Sequence, residues 1–184
     1  MELLGLKKVR DGKYLKSYEL TYLNKAGKEK LFEIVSHNEI ADVSAIGTKA
    51  SGVSIIATCN GKMLLLREFR MGVNKRIYNL CAGMIEDGET IEECIARELY
   101  EETGLKVAKI DMILPPSYSA VAITDIKTQI AFVTVENDNI DHGNMSINED
   151  ISAAFYTKEE VKVLLETEEF SSRAQLAAYY FTCM

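Results

Sequence analysis

Three glutamates, Glu98, Glu101 and Glu102, crowd one turn of a predicted helix. Glu98 and Glu102 continue the helical face that begins with Ile91 and Ile95, because residues three to four apart share a face. Carboxylates this close repel one another unless a cation lies between them. Oxygen ligands favour a hard divalent ion, Mg²⁺ or Mn²⁺. The pattern predicts a metal site, and the shared face with the isoleucines makes the alternative, a solvated acidic surface, the weaker interpretation.

The flanking residues predict the helix that positions these acids. Thr90 followed by Glu93 has the form of a capping box, and Gly104 stands where a left-handed C-cap would end a helix. We therefore expect a helix over residues 91–103.

Arg97 is the basic residue within this acidic stretch. It can reach Glu93 and Glu101 at four-residue spacings and can also fold back onto Glu89. Its predicted role is to orient carboxylates, and the alternative is an ordinary surface ion pair.

The segment GMIEDGETIEECIARELYEETGL resembles the signature of the Nudix hydrolases at every defined position. The matching residues are Gly83, Glu89, Arg97, Glu98, Leu99, Glu101, Glu102, Gly104 and Leu105. The resemblance implies an α/β fold, an α/β/α sandwich with a mixed β-sheet, and hydrolysis of a nucleoside diphosphate linked to another moiety. It also implies that Glu98 and Glu102 are the main metal ligands, that Glu101 assists, and that the backbone carbonyl of Ala82 adds a ligand.

Composition limits the partners. The formal charge of −7 over 184 residues argues against general binding of nucleic acid or an anionic membrane, since both need a basic surface. No apolar segment approaches membrane-spanning length and no leader pattern is visible. The four cysteines lack paired metal-ligand spacing, so we expect reduced thiols and a cytoplasmic location.

The order of the predicted strands and helices along the sequence predicts an N-terminal β-hairpin extension over residues 1–45, followed by a Nudix hydrolase domain over residues 46–184. The predicted strands cover residues 14–23, 29–36, 43–46, 52–58, 62–67, 130–135 and 151–156. Two C-terminal helices are expected after Thr157 and Ser172, which have capping-box form. Their buried residues are predicted to be Val161, Leu164, Leu165, Leu176 and Tyr180.

Within the family, the chain looks most like the ADP-ribose and nucleoside diphosphate sugar pyrophosphatases. LLLREFR resembles a strand of that group that ends in a phosphate-binding arginine, here Arg70. Where the group has a glutamate and a proline before the motif, this chain has Asn79 and Cys81. Asp125 is the candidate for an acidic substrate-binding residue after the motif. The hairpin resembles a segment that forms swapped dimers in this group, so a homodimer is expected.

In the ADP-ribose group the general base is often a glutamate in the loop before the strand that leads to the first C-terminal helix, so the resemblance implies Glu149 as the base here. The other interpretation of Glu149 is an exposed acid of a polar loop. Asp150 and Glu98 are the alternative bases.

Three rival functions stay open. The substrate can be another nucleoside diphosphate derivative, such as GDP-mannose, or a damaged nucleoside triphosphate. A non-catalytic Nudix-fold sensor is the alternative outside the enzymes, although such modules tend to lose the carboxylates that this chain retains.

Overall fold

The computed structural model describes residues 1–141 and 150–183. It contains eleven strands and three α-helices. The strands are β1 Glu2–Asp11, β2 Lys16–Leu23, β3 Glu29–Ser36, β4 Ala50–Cys59, β5 Lys62–Arg70, β6 Lys75–Asn79, β7 Cys81–Met84, β8 Val107–Ile113, β9 Ser117–Tyr118, β10 Lys127–Val135 and β11 Ile151–Tyr156. The helices are α1 Ile91–Thr103, α2 Lys158–Thr167 and α3 Ser172–Cys183.

The first of two compact units comprises Met1–Ser51 and Pro116–Thr128. The predicted hairpin is present as β2 and β3, and β1 extends it to a three-stranded antiparallel sheet. The turn of the hairpin is built by Asn24, whose side chain accepts hydrogen bonds from two backbone N–H groups of that turn. Tyr18 lies in the small core of this unit, where its hydroxyl accepts a hydrogen bond of 2.9 Å from the Ile40 N–H.

The second unit comprises Gly52–Pro115 and Gln129–Met184. The strand order of its sheet is β11-β5-β4-β10-β8, with β6 paired to β5 and β7 paired to β4. One face packs against α1 in a core that includes Ile55, Leu66, Ile95 and Leu99. The other face packs against α2 and α3. Apolar side chains that alternate along the strands thus pack against helices on both faces of the sheet. The predicted α/β class with an α/β/α sandwich is confirmed.

Helix α1 spans Ile91–Thr103, as predicted. Its Thr90 side chain accepts a hydrogen bond from the Glu93 N–H, and the Glu93 side chain accepts from the Thr90 N–H, which completes the capping box. Gly104 ends the helix with a φ of 70°, a left-handed conformation that glycine adopts without strain.

The strand predicted over residues 43–46 is wrong. Val43–Ala45 is a short 3₁₀ helix, because the Asp42 side chain accepts a hydrogen bond of 2.7 Å from the Ser44 N–H and starts a turn.

The predicted cap and buried face of α3 are also wrong. The helix already includes Ser172, and the preceding Ser171 accepts from an N–H of the first turn. Leu176 and Tyr180 are 70% and 57% exposed, whereas Ala174, Ala178 and Phe181 are buried. The two alanines let the helix lie close to the sheet, so the buried stripe follows small residues rather than the largest apolar ones.

In the part of the chain that the structure describes, no helix combines the length and apolarity needed to span a membrane.

Candidate active site

Strand β7 and helix α1 meet where Gly83 faces Glu98. A Cβ atom added at Gly83 would lie within 1.7 to 2.2 Å of the carboxylate atoms of Glu98. The neighbouring residue Ala82 donates its N–H to Oε2 of Glu102 over 3.3 Å. Glycine is therefore required at position 83 to leave room for a carboxylate against the strand.

Arg97 connects the loop before α1 to the acids on the helix. Its Nε and Nη2 atoms donate to the two carboxylate oxygens of Glu89 at 2.7 and 2.9 Å. Its Nη1 atom donates to Glu98 at 2.8 Å and to Glu101 at 3.1 Å. Its Nη2 atom also donates to the backbone carbonyl of Met84 at 2.9 Å. A planar guanidinium with donors on several sides can hold all these acceptors at once, and a lysine cannot.

The pKa values of this region follow from these contacts. The hydrogen bond from Arg97 lowers the pKa of Glu89 to about 2. Burial raises the pKa of Glu98, although Arg97 opposes this shift. Burial also raises the pKa of Glu102 to about 8, and the negative charges of Glu98 and Glu68 add to the increase. A buried acid and a partly buried acid that repel each other's charge are suited to bind a cation.

The donors fit a hard divalent ion. Glu98, Glu101 and Glu102 offer only oxygen. At the junction of α1 and β7, Glu102 is buried and Glu98 is partly buried, with 13% of its side chain exposed. Among the described residues, no three acidic, histidine or cysteine side chains yet surround a common point, since Glu98 and Glu101 point to Arg97. We expect these carboxylates to turn toward a cation when one binds.

Arg70 lies at the end of β5, in the same unit as α1. Its Nη1 atom donates to Oε2 of Glu68 over 3.2 Å, and its side chain is 56% exposed. Asn79 donates to the other carboxylate oxygen of Glu68. Arg70 is thus anchored at one end and accessible to a substrate.

The predicted residue Asp125 belongs to the other compact unit. Its Oδ2 atom accepts a hydrogen bond of 3.1 Å from the Gly47 N–H, and its buried Oδ1 atom has no partner among the described residues. The unpaired oxygen leaves an acceptor for a donor group, so Asp125 as a substrate-binding residue stays a prediction.

The predicted general base Glu149 lies outside the described residues. The alternative Asp150 forms an ion pair with Arg76, and both side chains are largely exposed. Its backbone carbonyl accepts from the Phe69 N–H, which places the end of this loop beside β5. The identity of the base stays a prediction.

Glu68 of β5 lies outside the motif and was not predicted as a site residue. Glu68 is only 6% exposed, and it contacts Arg70 and Asn79. The signal was available in the alternation of β5, where an acid follows Leu64 and Leu66 on the apolar face.

A mainly apolar cavity of about 510 Å³ lies beside α3 and not beside the acids of α1. Its lining includes Ile56, Leu80, Phe132 and Phe181 and none of the glutamates of α1. The candidate active site is therefore assigned from its charged groups and not from cavity size.

Replacing Arg97 with lysine is expected to lower kcat/KM roughly 30-fold or more, because Glu89 and Glu98 lose charge-assisted hydrogen bonds that orient them. Steady-state kinetics of the Mg²⁺-dependent reaction measure kcat/KM. A thermal melt measures separately whether the variant has lost stability. Arg67→Lys, at an exposed arginine of β5 that pairs with Glu168, is the matched control. Equal kcat/KM for both variants would show that Arg97 is an ordinary surface ion pair.

The comparisons with known proteins identify the family of this chain. The NUDIX domain family model matches residues 48–179, well over half of the chain. This chain therefore belongs to the NUDIX domain family. Nudix hydrolases generally use divalent metal ions, which agrees with the oxygen donors on α1.

Two curated relatives and one solved structure are informative. The chain is 29% identical over 142 residues to the ADP-sugar pyrophosphatase of Mus musculus, covering 74% of this chain and 62% of the relative. It is 26% identical over 130 residues to the GDP-mannose pyrophosphatase of Yersinia enterocolitica, covering 65% of this chain and 64% of the relative. The chain thus matches less than two thirds of the length of each. A crystal structure of an ADP compounds hydrolase superposes with a TM-score of 0.74 at 17% identity, covering 98% of this chain and 91% of that chain, and shows the same fold.

Proposed function

We propose that this protein hydrolyses the pyrophosphate bond of a nucleoside diphosphate sugar with the help of a divalent metal ion. The preferred substrate in this proposal is ADP-ribose, which would yield AMP and ribose 5-phosphate. The observation that carries the proposal is the pair of acids at the junction of α1 with Gly83, where Glu102 is buried and the partly buried Glu98 lies against the glycine. Relatives named for ADP-sugar and GDP-mannose support this substrate class.

Each residue then has a distinct role. Glu98 and Glu102, with Glu101 and the Ala82 carbonyl, would hold the ion, for which Mg²⁺ is our first choice and Mn²⁺ the second. When bound, the ion supplies positive charge that stabilises the phosphoryl group in the transition state. Arg97 orients Glu98 through its hydrogen bond.

The remaining proposed roles concern the substrate and the attacking water. Arg70 binds a phosphate of the substrate with its exposed N–H groups, and Asp125 accepts a hydrogen bond from the substrate. Glu149 takes a proton from the attacking water, and Glu98 is the alternative base.

The test is Mg²⁺-dependent hydrolysis of ADP-ribose, GDP-mannose, NADH, diadenosine polyphosphates and nucleoside triphosphates, with product identification. AMP and a sugar phosphate would support the ADP-ribose assignment, and GMP with mannose 1-phosphate would transfer it to GDP-mannose. Release of pyrophosphate from a triphosphate would indicate the triphosphate hydrolases. Tight binding without products would favour the sensor and contradict the hydrolase proposal.

A homodimer is part of the proposal, with the sheet β1-β2-β3 as the contact between subunits. Light scattering after size-exclusion chromatography measures the mass directly against the chain mass of 20.6 kDa. A cytoplasmic location is also proposed, and it is supported by the free state of Cys59, Cys81, Cys94 and Cys183.

A further inference from the structure

Strand β5 carries a buried acid that lies outside the Nudix motif. Leu64, Leu66, Glu68 and Arg70 alternate along the strand, and the two leucines pack in the core beneath α1. Glu68 therefore occupies the place of a third core side chain, and it is 6% exposed. Removing a carboxylate from water is costly unless hydrogen bonds compensate, so its partners indicate why an acid is present.

The partners of Glu68 form a chain of hydrogen bonds from α3 to Arg70. Ser171, just before α3, donates its hydroxyl to Oδ1 of Asn79 over 2.6 Å. Asn79 donates its amide to Oε1 of Glu68. The opposite oxygen, Oε2, accepts from Nη1 of Arg70 over 3.2 Å. Both oxygens of Glu68 are thus occupied, and the carboxylate has one defined orientation.

The burial of Glu68 opposes stability in this location, because a carboxylate that is 6% exposed loses most of its hydration. An apolar residue at position 68 would avoid this cost. Packing alone therefore does not explain why residue 68 is an acid. A neighbouring side chain that the carboxylate holds in one orientation would explain it.

Arg70 is that partner. The Glu68 side chain is 8% exposed and the Arg70 side chain is 56% exposed, so the ion pair reaches from the core to the surface. Among the described residues, the hydrogen bond from Arg70 to Glu68 uses only Nη1. The other N–H groups of the guanidinium can then face a phosphate, which binds to arginine through two parallel hydrogen bonds.

We propose that Glu68 is a positioning residue that orients Arg70 for phosphate binding, and that Asn79 and Ser171 hold Glu68 in place. This inference rests on the proposed function, because it assigns Arg70 to the substrate phosphate.

A double-mutant cycle tests the proposal. Glu68→Gln preserves size but removes the charge, so it should raise KM for ADP-ribose roughly tenfold, with a smaller decrease in kcat. In an Arg70→Ala background the same substitution should change KM by less than about twofold, because the residue to be oriented is absent. Asn79→Ala should raise KM about threefold with the same dependence on Arg70, which provides a second variant if Glu68→Gln folds poorly. Glu159→Gln, at an exposed acid of α2, is the matched control.

Calorimetric binding of ADP with Mg²⁺ separates this inference from the proposed function. If no substrate is cleaved but Glu68→Gln weakens ADP binding only when Arg70 is present, the positioning role stands and the hydrolase proposal fails. If substrate is cleaved and Glu68→Gln has no effect on KM, or the same effect in both backgrounds, the positioning role is overturned. Absence of ADP binding together with absence of turnover would overturn both.

Discussion

Replacing Glu102 with glutamine should reduce Mg²⁺-dependent turnover at least about a thousandfold, equal to about 4 kcal/mol of transition-state stabilisation. Glutamine has nearly the same shape and retains an oxygen that can accept the hydrogen bond from the Ala82 N–H. It lacks the negative charge that a divalent ion requires from a buried ligand. The measurement is kcat for the substrate that the panel identifies.

A thermal melt provides a second readout for this variant that does not depend on activity. Mg²⁺ should raise the Tm of the unmodified protein, since a ligand that binds only the folded state stabilises it, and this increase should be lost in Glu102→Gln. Without metal the variant should be at least as stable, because burial and nearby acids disfavour the charged form of Glu102 and glutamine has no charged form. Glu92→Gln removes an exposed acid from the same helix and is the matched control. Full turnover in Glu102→Gln would exclude Glu102 as a metal ligand.

Replacing Gly83 with alanine should lower kcat/KM at least about a hundredfold while changing stability little, since misplacement by about 1 Å is enough for such a loss. The new methyl group would overlap the carboxylate of Glu98, with its Cβ atom 1.7 to 2.2 Å from the present positions of those atoms. The obstructing atoms are the end of a flexible side chain, so Glu98 can swing away and the backbone can stay in place. Steady-state kinetics measure kcat/KM, and a denaturant titration of the same sample measures the free energy of unfolding.

Alanine substitutions at two other glycines separate the loss of activity expected for Gly83→Ala from a general loss of stability. A Cβ at Gly72 meets no atom within 4 Å, so Gly72→Ala should be neutral for both activity and stability. A Cβ at Gly52 would lie 2.2 Å from the carbonyl oxygen of Gly83, so Gly52→Ala should separate β4 from β7 and destabilise the fold. If Gly83→Ala retained full activity, the contact between position 83 and Glu98 would be irrelevant to catalysis.

The predictions of the fold succeeded where a local signal was strong. Helix α1 has a capping box at Thr90 and a C-cap at Gly104, and both are local features that need no tertiary contact. The turn between β4 and β5 is formed by Asn60 and Gly61, which have φ values of 51° and 74° and are a residue pair typical of a hairpin turn.

The failures have two different causes. Val43 has high strand propensity, yet a local cap, the hydrogen bond from the Ser44 N–H to the Asp42 side chain, turns the chain into a 3₁₀ helix. Tertiary packing decides the second case. In α3, Leu176 is exposed while Ala174 and Ala178 are buried, because a close helix-to-sheet approach favours small side chains. Amphipathic patterning cannot detect this, since it weighs large apolar residues most.

For the candidate site, the sequence by itself determined the acids, the arginine and the helix that carries them. Their spacing along one helix is a local property, so Glu98, Glu102 and Arg97 could be placed on α1 without knowledge of the fold.

Only the tertiary structure decided which groups from different elements meet. It put the Glu98 carboxylate against Gly83 of β7, and the Glu68 carboxylate between Asn79 of β6 and Arg70. The physical reason is that strand pairing and helix packing set distances between residues that are remote in sequence, and hydrogen-bond partners and pKa values depend on those distances.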